Sequence, residues 1–178
     1  MELHFQNPGF DYMLEQILAF QDEDASPFWS APLYRFYPQL EPARTLPRPA
    51  RLEAIARELR SVYAAQEQTI HEKTRAYAAH WQRCKPQVTA ALSDAFSLDA
   101  AGLFNDLQVC LSLNPIEPRC LREHRFDLFY LNSPQGAVGA ALHEIIHFFY
   151  FYVWNGLFDD PPDACEAPAL PWLLSEMV

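Results

Sequence analysis

The chain has 178 residues, half of them apolar and 14% aromatic, which excludes a disordered protein and leaves ample length for the core of one domain. A net charge of −10 argues against nucleic acid as a partner, because phosphate binding needs a basic face. Fifteen prolines against five glycines point to stiff, ordered connections.

The N-terminus, Met1-Glu2-Leu3-His4-Phe5-Gln6, has neither the basic stretch nor the apolar run of a secretory leader, so a cytoplasmic protein is expected. Asn7-Pro8 predicts a helix from Pro8 to Phe20, with Asn7 as N-cap and Pro8 in the first turn. Phe10, Met13, Leu14, Ile17 and Leu18 recur there at helical spacing, and Asp22 to Asp24 end the run. Six prolines between 26 and 49 predict an extended segment. Phe28, Trp29, Tyr34, Phe36 and Tyr37 make it too aromatic for a loose linker, so it packs across the domain.

A long helix follows from Pro49 to Cys84, with Leu52, Ile55, Leu59, Val62 and Tyr63 as its inward stripe. Pro86 is expected to break it, and a shorter helix runs through Phe96. His71 and His80 are nine apart and do not share a face. Leu107 to Leu113 alternates apolar and polar residues and reads as a strand, and Phe126 to Leu131 as a second. The expected fold is α+β and mostly helical, with a small antiparallel sheet beside the last long helix. Residues 1–100 form the mainly helical part of one domain, and 101–178 hold the chemistry. Cys84, Cys110, Cys120 and Cys165 have no zinc-knuckle spacing and read as free thiols, with a Cys110–Cys120 hairpin disulfide as the alternative.

Ser133 is a natural N-cap and Pro134 a natural first residue for the helix that carries His143-Glu144-Ile145-Ile146-His147. Asn155-Gly156 offers its stop, and Pro161-Pro162 forbids continuation. Histidines four apart share a helix face and can reach one metal ion. Glu144, one residue after the first His, stands beside that ion, where it can take a proton from water. The bland alternative is a pair of partly buried core histidines. A Glu on so apolar a helix needs a partner, which a metal-bound water supplies. After Arg125 the chain has no Lys or Arg, and an acidic half of this kind would favour a divalent cation and a cationic substrate, although a solvated acidic loop is the better account of its Asp cluster.

A catalytic zinc site keeps three protein ligands and one open position. A third His six residues after His147 is excluded, since Tyr150 and Val153 stand where that pattern needs Gly and His. Together with Trp172-Leu173-Leu174-Ser175-Glu176, the motif resembles the gluzincin branch of the zincin metallopeptidases, over about the last 70 residues. The resemblance implies Zn2+ held by His143, His147 and Glu176, and Glu144 as general base in hydrolysis of a peptide or protein substrate. It also implies an edge strand that pairs with the substrate backbone. Asp159, Asp160, Asp163 and Glu166 are rival ligands in a Pro-rich loop, and His124 is a weaker one. The chain stops two residues after Glu176, so it is read either as part of a longer protein or as an end held by packing; no oxyanion-stabilising residue is assigned. Two other readings stay open. One is a zincin-like binding or regulatory module without turnover. The other is an intramembrane protease, because residues 136–158 are apolar enough to span a bilayer. Two His and a Glu in mid-span make a soluble core helix the better account.

Overall fold

The computed structural model of the chain describes residues 1–21 and 27–157. Asp22 to Asp24, Asp159, Asp160, Asp163, Cys165, Glu166 and the segment holding Glu176 lie outside the described residues. The fold is α+β and mostly helical, with helices α1 (Phe10–Ala19), α2 (Pro27–Phe36), α3 (Arg48–Phe96) and α4 (Pro134–Leu157). Four short strands, β1 (Leu3–Gln6), β2 (Leu107–Ser112), β3 (Arg119–Cys120) and β4 (Arg125–Phe129), form one sheet in the order β1-β2-β4-β3.

The sheet is mixed, which corrects the expected antiparallel one. β2 and β4 run parallel, with Val109 opposite Phe126 and Cys110 opposite Asp127. A parallel pair needs a crossover of about a dozen residues, and 113–124 supplies it. The chain turns at once after β2. Ser112 Oγ accepts the Asn114 N–H at 3.0 Å, and Asn114 Oδ1 accepts the Ile116 N–H at 3.0 Å. It then returns as β3, the one strand antiparallel to β4, pairing Arg119 with Phe126 and Cys120 with Arg125. β1, which has no counterpart in the sequence reading, pairs parallel with β2 through Leu3–Leu107 and Phe5–Val109.

The helices depart from expectation mainly at their prolines. α1 starts two residues later than predicted. Asn7 Oδ1 accepts the Gly9 N–H at 3.0 Å, and Gly9 sits at φ 88°, a conformation that favours glycine. The proline-rich stretch is not extended. It forms α2 and a 3₁₀ helix at Pro38–Thr45. Proline's fixed φ near −65° suits a helical turn as well as an extended chain, and only the missing N–H limits the length. The expected packing holds for Tyr34 and Tyr37, which are buried, the Tyr37 hydroxyl donating to Leu113 O at 2.7 Å, whereas Phe28, Trp29 and Phe36 are exposed.

α3 runs unbroken through Pro86 to Phe96. Trp81 and Leu92, fully or almost fully buried on either side of Pro86, anchor both halves, so packing outweighs the lost hydrogen bond. Its later residues hold the entry to α4. Lys73 Nζ donates to Asn132 O at 2.9 Å, and the Tyr77 hydroxyl donates to Tyr130 O at 3.0 Å. Ser133 caps α4 as predicted, its Oγ accepting the Gly136 N–H at 3.0 Å. α4 is the one helix among the described residues long and apolar enough to cross a membrane. In this fold it packs on α3 and β4, burying Ala137, Ala141, Ile145, Phe148 and Phe149. Cys84, Cys110 and Cys120 are free thiols, so the Cys110–Cys120 disulfide is absent.

Candidate metal centre

α4 brings His143, Glu144 and His147 together, with one ligand atom of each within 4.8 Å of the others. The two imidazole Nε2 atoms lie 3.1 Å apart. Two metal–nitrogen bonds of about 2.05 Å at a tetrahedral angle would separate the nitrogens by about 3.3 Å, so the pair already has the spacing for one ion. In the chain alone, the same spacing allows one neutral ring to donate to the other.

Both rings are held in the neutral form that a ligand needs. Burial pushes His147 down to about 3, with help from the Arg119 guanidinium and from His143. Burial and Arg119 also lower His143, which is nearly half exposed and forms the open side of the site. Glu144 is buried, and desolvation raises its carboxyl to about 7 against the opposing pull of Arg119. Its Oε1 lies 3.8 Å from His143 Nε2, and its Oε2 3.3 Å from Arg119 Nη1.

Arg119 is the partner that sequence reasoning missed. A Pro-Arg-Cys string in a loop carries no signal, and only the antiparallel pairing of β3 with β4 places the side chain beside α4. Glu117 secures that loop. Its Oε1 accepts the Phe129 N–H at 3.0 Å and the Asn132 Nδ2 at 2.8 Å. Asp127, on β4, is fully buried, accepts the Tyr12 hydroxyl at 2.7 Å, and is raised to about 7 by desolvation. Glu117 and Asp127 both push Glu144 upward, so two buried carboxylates and a partly buried one share one small region. Two neutral imidazoles beside a buried carboxylate fit a divalent ion of borderline softness.

The other histidines are elsewhere. His124 Nδ1 pairs with Asp106 at 2.9 Å, and its ring packs edge-on to Phe104, which removes it from the ligand set. His71 contacts Asn7 and His80 contacts Arg83, both on α3. Among the described residues, no further His, Cys, Asp or Glu joins the group. Glu176, the expected third ligand, lies outside them. Compared with known proteins, the chain gives no significant match to a family model, a curated protein or a solved structure.

Proposed function

We propose that the chain is a divalent-metal-dependent hydrolase of the zincin type, acting on peptide bonds. The 3.1 Å approach of His143 and His147 Nε2, beside a buried Glu144, carries the reading. His143 and His147 would hold Zn2+, and Glu176 is proposed as the third ligand on the resemblance of its string alone. When bound, such an ion supplies Lewis acidity and lowers the pKa of water toward neutrality. Glu144 takes the water proton and returns it to the leaving amine, a role that favours a carboxyl raised by burial to about 7. The open side at His143 admits the substrate, and the apolar wall of α4 keeps bulk water from Glu144.

Metal analysis of the purified chain tests the proposal. About one equivalent of zinc is expected, lost in His143→Ala and in His147→Ala. Glu144→Gln should keep the zinc and lose peptide hydrolysis by about 10²-fold or more. A zinc-free wild type, or unchanged zinc in His143→Ala, refutes it.

One observation favours a second reading, a binding module without turnover. Glu144 is engaged by Arg119 rather than free. Under that reading, a peptide binds wild type and Glu144→Gln equally, with or without zinc, and neither cleaves it.

A further inference from the structure

We infer that Arg119 is the electrophile of this site, receiving the oxygen that gains negative charge when water adds to a bound carbonyl. The inference rests on the hydrolase reading above. Arg119 stands on β3, at an edge of the sheet among the described residues, and its strand pairing and the Glu117 hydrogen bonds fix its position. Its single 3.3 Å contact with Glu144 is long for a pair that is often bidentate. Its Nε is buried and makes no hydrogen bond. A buried donor left unpaired is costly, so the guanidinium gains by turning to pair it with an incoming anionic oxygen. The side chain is 22% exposed, so a ligand can reach it.

Glu144 lies between this cation and the imidazoles, with one carboxylate oxygen toward each. Water that gives its proton to Glu144 forms a carbon–oxygen bond to the carbonyl, and the π pair moves onto the carbonyl oxygen. Arg119 offers that oxygen a positive charge and a forked donor. The pair then returns to re-form the carbonyl, the carbon–nitrogen bond breaks, and the proton on Glu144 goes to the amine. Water and amide give acid and amine, with no other reactant.

The test uses the full chain loaded with one equivalent of zinc. Methylphosphonate, a tetrahedral anion, and imidazole, a neutral donor, are titrated calorimetrically into wild type, Arg119→Met and Arg119→Lys. Arg119→Met should weaken methylphosphonate by about 10- to 100-fold and leave imidazole within about twofold. Arg119→Lys, which keeps the charge and loses the fork, should recover part of the anion affinity. Arg119→Gln replaces the Met variant if that variant does not fold. Undiminished methylphosphonate binding, or equal loss for both ligands, overturns the inference while leaving the hydrolase reading intact. Absence of zinc from wild type overturns both.

Discussion

Asp127 makes the folded chain less stable as pH rises, and replacing it should reverse that dependence. The side chain is fully buried on β4, faced by Tyr12, Ser112, Arg125, Glu117 and Cys110. Desolvation raises it from 3.8 to about 7, and the Tyr12 hydrogen bond and the Arg125 charge only partly oppose this. Between those two values the folded chain holds a proton that the unfolded chain has released. Stability therefore falls as pH rises through that window, by about 4 kcal/mol at roughly 1.4 kcal/mol per pH unit. In Asp127→Asn the amide oxygen still accepts from Tyr12, but its NH2 takes the place of Oδ2, which has no hydrogen-bond partner. That unpaired group costs about 1–3 kcal/mol at every pH. The variant should be the less stable chain at pH 4 and the more stable at pH 8. Urea unfolding of metal-free protein, followed by tryptophan fluorescence, measures both. A difference between the two proteins that stays constant within about 1 kcal/mol from pH 4 to pH 8 would refute the argument.

Three further outcomes are expected. Pro86→Ala restores a backbone donor in an exposed turn of α3 and should stabilise the chain by about 1–3 kcal/mol in urea titration; a loss would mean that the proline shapes a bend the packing needs. Glu117→Ala removes the acceptor shared by Phe129 and Asn132 and should cost about 2–3 kcal/mol, whereas Glu117→Gln, which keeps a carbonyl there, should cost under about 1 kcal/mol. Differential scanning calorimetry separates the two, and equal losses would show that charge, not the acceptor geometry, holds the loop. Tyr77→Phe removes a buried donor to Tyr130 O and Asn132 O and should lower stability by about 1–2 kcal/mol, read as a shift of the urea midpoint.

Helix positions were legible where apolar spacing and capping agreed. Ser133-Pro134 located the start of α4, and Leu52 to Tyr63 located the inward face of α3. Prolines misled because the residue fixes φ without choosing between a helical turn and an extended chain. At Pro32, Pro42 and Pro86 the packing of neighbouring side chains made that choice. β1 was missed because four residues carry too little pattern to register. Strand direction was misjudged because a connection of a dozen residues permits either sense.

The sequence by itself determined the local part of the candidate site. His143 and His147 share a helix face because the helical repeat puts residues four apart side by side, and Glu144 stands about 100° round the helix from His143, at the flank of that pair. Only the tertiary structure decided what meets that face. Arg119 is 25 residues from Glu144 in the chain. A parallel crossover and a two-residue antiparallel strand bring it there. Burial by the same sheet neutralises the imidazoles and raises Glu144. These effects depend on contacts between distant segments and on removal of water, and no spacing along the chain records either.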